Sequence, residues 1–318
     1  MIKKVREKSI RLLTMEAGGR RVDKNHPVYA QIERELGRQT AGYKGECALD
    51  YYLTFIPDDK YFIFHGLRLE DPKNRYFQMD SYLFSLSHGL ILESKYISGE
   101  LEFDEKSNQL IRKVADGHES MGDPISQVER HKDQMRSWME KYLGKVVPII
   151  GQVVLTNKNA ILKNVSPSTM KKVTFLTNLP IRIKAIHENL PNPILTEKEL
   201  RKATRILNQK HTPDQFAFLD FFKLTHNEII TGVICAECSL SPMLRKSAKW
   251  ICLKCGCKSK NAHIEALEDY ALLCGKSITN KQAKEFLHLS SSSVTFQILQ
   301  SMNLRHTGTK KGRVYFLN

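Results

Sequence analysis

Apolar residues recur along this chain with two periods, and the switches between them mark out its elements. Residues 27–56 carry the helical period, interrupted near Gly42-Tyr43-Lys44-Gly45, and end in the stripe Ala48, Leu49, Tyr52, Leu53 and Ile56. Residues 61–69 and Tyr76–Phe84 read as strands. A break at Ser87-His88-Gly89 follows, and residues 89–97 form the hairpin partner of the second strand. Residues 98–122 are polar and turn-rich. Pro124–Leu143 is an amphipathic helix with Val128, Met135, Trp138, Met139 and Tyr142 inward. Residues 145–156 form a near-continuous apolar strand, in which Pro148 implies an edge or a bulge. Strand, helix and strand in this order predict an α/β layer around a mixed sheet. Residues 1–26, charged and weakly patterned, predict a mobile lead-in. Between 157 and 230 only residues 196–209 give a clear helix, and this region either completes the layer or serves as a spacer.

The hairpin carries chemistry. Side chains alternate along a strand, so Glu93 and Lys95 share a face and Asp80 faces them from the neighbouring strand. Glu46 lies one turn ahead of the apolar stripe of the first helix. Three acids and a lysine converging on one sheet face repel and desolvate one another without a cation. The set therefore suits a divalent metal, Mg²⁺ or Mn²⁺, with the lysine left to handle a water or a phosphate oxygen.

The motifs Gly42-x-x-Gly45-Glu46, Gln78-Met79-Asp80, Glu93-Ser94-Lys95 and Asp123-Pro124-x-x-Gln127-x-x-x-His131 occur in this order. Together they resemble the nuclease-related domain, itself similar to the restriction-endonuclease-like fold, over residues 27–160. The resemblance implies Glu46, Asp80 and Glu93 as acidic metal-site residues and Lys95 as the catalytic lysine. It implies Gln78 and Gln127 as supporting residues, and Met79 stands where the family usually has proline. His131 is read as a packing or hydrogen-bonding histidine. Three other triplets mimic the acid-x-lysine motif: Asp58-Asp59-Lys60, Asp71-Pro72-Lys73 and Asp104-Glu105-Lys106. They lie in turn sequences, which predicts solvated side chains.

Cys235-x-x-Cys238 and Cys252-x-x-Cys255, thirteen residues apart, let four thiolates reach one structural Zn²⁺ in a zinc ribbon. Cys257 is a rival ligand or a bystander. Beyond the ribbon come a helix over 264–273, a helix capped by Thr279, a serine-rich helix start at Ser290–Ser293 and a hairpin over 304–317 with a basic tip. This order resembles a winged helix-turn-helix module. Ser291, Ser292, Lys310, Lys311 and Arg313 are its candidate nucleic-acid contacts, although winged helices also dock proteins.

Net charge is +15, and residues 241–318 hold 13 Lys and Arg against 4 Asp and Glu. A surplus so placed points to a polyanion, above all double-stranded DNA. No run approaches the ~18 apolar residues of a membrane span. The basic first residues lack a signal-peptide core, and paired C-x-x-C cysteines suit a reducing, cytoplasmic setting. The expected organisation is a mobile segment 1–26, a restriction-endonuclease-like mixed sheet flanked by helices over 27–165, a helical extension or spacer 166–230, a zinc ribbon 231–262 and a winged-helix-like domain 263–318. The expected function is metal-dependent hydrolysis of nucleic-acid phosphodiester bonds, those of DNA, in DNA processing, against the alternative of a nucleic-acid-binding regulator with a silent nuclease fold.

Overall fold

The computed structural model describes residues 1–115 and 117–317, and the Lys311 side chain lies outside that description. The chain divides into two compact units, residues 1–9 with 40–214 and residues 10–39 with 215–318. Among the described residues no helix is long and apolar enough to cross a membrane.

Strand β1 (Ile2–Lys4) is followed by helices α1 (Ile10–Arg21) and α2 (Tyr29–Leu53). The expectation of a mobile lead-in over residues 1–26 is thus corrected: β1 pairs in parallel with the next strand, and α1 buries Leu12, Met15 and Ala17. Both elements are short or weakly amphipathic, so tertiary packing rather than local pattern fixes them. Helix α2 is also continuous where an interruption near Gly42–Gly45 was expected. Each glycine costs only about 1 kcal/mol in a helix, which a long packed helix tolerates.

The first unit is built on strands β2 (Phe62–Glu70), β3 (Tyr76–Phe84), β4 (Gly89–Lys95), β5 (Gly99–Asp104), β6 (Gln109–Val114) and β7 (Gly117–Gly122), then helix α3 (Pro124–Leu143). Strands β8 (Ile149–Leu155) and β9 (Ala160–Lys163), helix α4 (Pro167–Lys172), strand β10 (Val173–Phe175) and helices α5 (Leu179–Asn189) and α6 (Glu197–Lys210) complete it. Its main sheet has the order β1-β2-β3-β4-β8-β10, with β2-β3-β4 antiparallel and the other pairs parallel. Strand β8 is therefore interior, not the edge that Pro148 suggested. Pro148 precedes the strand, and its carbonyl accepts from the Gly89 amide at 2.9 Å, so the missing N–H costs the ladder nothing. One cluster joins Phe64, Phe77, Met79 and Ile91 to Met135, Trp138 and Met139 of α3 and Leu200, Ala203 and Leu207 of α6. Another joins Leu83, Leu90 and Leu92 to Leu49 and Leu53 of α2 and Leu179 and Ile183 of α5. The sheet is thus covered on both faces, a mixed α/β layer.

Residues 98–122, read as turn-rich, form instead a meander in a second sheet of order β7-β6-β5-β9. Its apolar positions are few but alternate, and Leu101, Phe103 and Leu110 are buried among polar neighbours. The region 157–230 does not act as a simple spacer: β10 extends the main sheet and α6 fills its core. Thr196 and Glu199 form the capping box that starts α6, as the sequence implied.

The second unit packs α1 with helices α7 (Phe218–Phe222) and α8 (Ala262–Leu273). Arg21 is buried and bonds Asp269 at 2.8 Å and the Ile230 and Gly232 carbonyls at 2.9 Å. Strands β11 (Leu244–Lys246), β12 (Lys249–Ile251) and β13 (Lys258–Ser259) form a small antiparallel sheet around the cysteine pairs. Strand β14 (Ser277–Thr279), helices α9 (Asn280–Phe286) and α10 (Ser292–Ser301), and strands β15 (His306–Thr307) and β16 (Val314–Phe316) follow, with sheet order β14-β16-β15. Thr279 and Ser291 cap α9 and α10, as their sequences predicted. Residues on both sides of the expected 262/263 boundary share one core: Val233 and Trp250 pack with Leu267, Ile278, Phe286 and Tyr315.

Candidate active site

The site begins with an irregularity in β2 and β3. Register pairs run through Leu67↔Met79 and His65↔Ser81 but leave out Gly66 and Asp80. Phe62 and Phe64 before this point, and Leu67 and Leu69 after it, all join the cluster under α3 and α6. The pleat therefore changes phase at Gly66, whose φ of 58° glycine adopts without steric cost. A glycine inside an alternating strand is the sequence signal for such a break. Its consequence is chemical. Asp80 takes the α3-facing side while Ser81 and His65 turn toward α2, and Gln78 falls on the face opposite Asp80. Gln78 is exposed and joins none of the site's hydrogen bonds, so the supporting role that the resemblance implied for it is corrected.

The β3–β4 ladder ends at Ser81↔Leu92. Beyond it Asp80 Oδ2 accepts from both the amide and the hydroxyl of Ser94, each at 2.8 Å. Glu93 is only 3 % exposed; its Oε1 accepts from Lys95 Nζ at 2.6 Å, and its Oε2 is buried without a partner among the described residues. Lys95 also donates to Gln127 Oε1 of α3 at 3.2 Å. Asp123 of the same motif caps α3, accepting from the Ile125 and Ser126 amides. His131, one turn beyond Gln127, packs against Phe77 at 6.1 Å between ring centroids, and burial lowers its pKa to about 4. That is the packing histidine the sequence implied.

Glu46 arrives from α2. A Cβ on Gly45 would lie 2.7 Å from Thr156 Oγ1 and 2.8 Å from Tyr96 Cβ, so only glycine lets the helix close here. Gly42, in contrast, faces open space. Glu46 Oε2 accepts from Arg6 Nη1 at 2.6 Å. Arg6 also donates to both oxygens of Asp50, to the Asp80 carbonyl and to Ser81 Oγ, and His65 Nδ1 lies 2.9 Å from its Nη2. Arg6, Asp50, His65 and Ser94 are site residues that the sequence reading missed. The spacing of Glu46 and Asp50, one helical turn apart, was visible; Arg6 offered no local signal because its partners lie at least 40 residues away.

The decoy triplets stay out of this assembly. Asp58, Asp59 and Glu105 are solvated or turn-bound, but Asp71 is buried rather than solvated as expected. It takes the Lys73 and Arg75 amides and the Arg75 guanidinium, a buried turn cap.

The orphaned Glu93 oxygen and the crowded acids fit a hard divalent cation, which takes carboxylate oxygens as ligands. Asp80 and Glu93 are the residues that would hold it. Glu46, Asp80 and Glu93 do not all lie within 4.8 Å of one another. The four thiols of Cys235, Cys238, Cys252 and Cys255 do meet that limit and could hold a structural zinc. The Cys235–Cys255 and Cys238–Cys252 sulfur separations are 3.6 and 3.4 Å. They approach the ~3.8 Å edge of a tetrahedron with 2.3 Å Zn–S bonds. Both knuckles use the same turn, Ser239 N to Cys235 O and Gly256 N to Cys252 O, and Cys257 stands outside the quartet.

Burial and the Asp80 charge raise Glu46 to about 8 against the pull of Arg6, and raise Glu93 to about 7 against that of Lys95. The metal-free folded protein then keeps protons that the unfolded chain releases near pH ~4.3. Its stability should fall as pH rises from about 5 to 8, because the native state binds more protons than the unfolded state across that window. Thermal melts in chelator should follow a flatter pH profile for Glu46→Gln/Glu93→Gln, and equal slopes would refute the assignment. Separately, elemental analysis of reduced protein should find about one zinc per chain, reduced to none in Cys252→Ser/Cys255→Ser.

No curated protein and no solved structure matches the chain. The residues 41–156 that carry Glu46, Asp80, Glu93, Lys95 and Gln127 match the family of the nuclease-related domain.

Proposed function

We propose that the protein is a Mg²⁺- or Mn²⁺-dependent nuclease that hydrolyses phosphodiester bonds of DNA, with the C-terminal elements delivering it to the duplex. The observation that carries this reading is the buried Glu93, paired with Lys95 through one oxygen and keeping the other unpartnered beside the Asp80 charge. A scaffold gains nothing from burying such groups, whose desolvation costs several kcal/mol per ion.

Asp80 and Glu93 would hold the metal. When bound, the ion supplies Lewis-acid polarisation of the scissile phosphate and makes an associated water more acidic. Ser94 fixes the Asp80 carboxylate through two hydrogen bonds, leaving Oδ1 available as a ligand. Burial pulls the Lys95 pKa down, but Glu93 and Asp80 outweigh it and the net shift is upward. Lys95 therefore stays an ammonium at neutral pH. It orients the attacking water or neutralises charge on the phosphate instead of removing the proton. Gln127 holds that ammonium in place from α3.

In the second unit, the order α8, β14, α9, α10, β15, β16 supports the winged helix-turn-helix reading. Ser291 caps α10 through the Val294 amide, and Ser292 is exposed at the same helix start. Lys310 and Arg313 lie in the connection between β15 and β16, the expected wing, and Arg313 stacks over Phe296 at 5.6 Å.

Plasmid cleavage with Mg²⁺ should be lost in Asp80→Ala and reduced about 10²–10³-fold in Lys95→Ala. Wild-type rates in Asp80→Ala would remove the site from consideration. Changing Lys310, Lys311 and Arg313 to Ala should weaken duplex binding and flatten log K against log salt by up to about three units. Residual cleavage at high enzyme concentration should survive. An unchanged salt slope would assign this module to protein docking.

A further inference from the structure

Arg6 is the one group at the site that supplies positive charge from outside the motifs, and its surroundings are those of a metal ion. The side chain is only 5 % exposed. Oxygens of four residues converge on it: the Glu46 carboxylate at 2.6 Å, the Asp50 carboxylate at 2.9 Å, the Ser81 hydroxyl at 3.0 Å and the Asp80 carbonyl at 3.1 Å. Carboxylate, carboxylate and backbone carbonyl from a helix and a strand form a donor set that hard divalent cations take. Here a planar guanidinium satisfies it through directed hydrogen bonds.

Charge balance points the same way. Glu46, Asp50, Asp80 and Glu93 bring four carboxylates, and Arg6 and Lys95 bring two cations. With all four carboxylates ionised, the remainder is two negative charges, the complement of one divalent ion. Two-metal nucleases place their ions about 3.5–4 Å apart. Asp80 faces both cationic groups here, its carboxylate acting on Glu93 and Lys95 and its backbone carbonyl accepting from Arg6.

We infer that Arg6 occupies the place of a second divalent cation, so that this site binds a single metal ion. The inference rests on the proposed metal site at Asp80 and Glu93. Arg6 is then a positioning residue. It holds Glu46 and Asp50 in a fixed arrangement, and it makes the N-terminal segment part of the catalytic unit. Its removal leaves the partly buried Glu46 and Asp50 carboxylates without their guanidinium, and these attract the cation that Arg6 had excluded.

The test is the count of Mn²⁺ bound by the full-length, zinc-loaded protein, read by electron paramagnetic resonance. Wild type should bind one Mn²⁺ per chain, lost in Asp80→Ala. Arg6→Ala should bind two, with the exchange-broadened spectrum of a close pair, and Arg6→Lys should bind one. Adding Asp50→Asn to Arg6→Ala should return the count to one. A wild-type count of two, or a folded Arg6→Ala that binds one ion at wild-type affinity, would overturn the inference. Where melting shows Arg6→Ala to be unfolded, Arg6→Gln, which keeps the volume and loses the charge, is read in its place with the same expected count. Wild type binding no Mn²⁺ that depends on Asp80 would instead defeat the nuclease reading itself.

Discussion

Acids cannot be buried alone, and the first unit is organised around that constraint. Removing one partner of a buried ion pair typically costs 3–5 kcal/mol, so each carboxylate near Asp80 requires a cation or a set of donors in a fixed place. Lys95 reaches Glu93 because strand alternation puts the two on one face. Ser94, on the other face, supplies Asp80 with the donors that the ended ladder no longer provides. Arg6 reaches Glu46 and Asp50 only because β1 joins the sheet edge beside β2. The arrangement explains why so short a strand is retained: it aims a guanidinium.

Much of this was legible in the sequence, and the boundary of legibility is physical. Strand β3, the start of β4 and helix α3 fall where their patterns put them, because each buries a continuous apolar face and period alone identifies it. The same holds for Glu93 and Lys95, whose relation depends on two residues of strand. What the sequence hid depends on distant contacts or on broken periodicity. Arg6 meets partners 40 to 75 residues away. Gln78 was expected at the site from its place in a motif, and the Gly66 irregularity turns it to the other face. The meander over residues 99–122 buries one face so sparsely that its polar positions dominate the pattern.

The second unit divides along similar lines. Four thiols able to share one ion impose close spacing within each C-x-x-C pair, so the chain itself announces them. The buried Arg21–Asp269 pair joins residues 248 apart and leaves no local trace. Trp250 lies against His263, its indole N–H donating across 3.2 Å, which places the ribbon and the following helices in one core. Loss of the metal would then be felt beyond the knuckles, since Cys235 and Cys252 are members of that core.

Gly66 separates two requirements that usually travel together. A Cβ there would meet no heavy atom within 4 Å, so a clash at that atom is not what excludes other residues. The backbone excludes them, since a left-handed conformation costs an ordinary residue roughly 1–2 kcal/mol. Asparagine visits that conformation readily and would keep the pleat reversal at small expense, whereas valine would restore regular alternation along β2. Regular alternation would put Met79 and Asp80 on opposite faces, so β3 could no longer give Met79 to the core under α3 and Asp80 to Glu93 together, although every motif residue stayed in the sequence. A family signature written only in acids and a lysine would not register that loss.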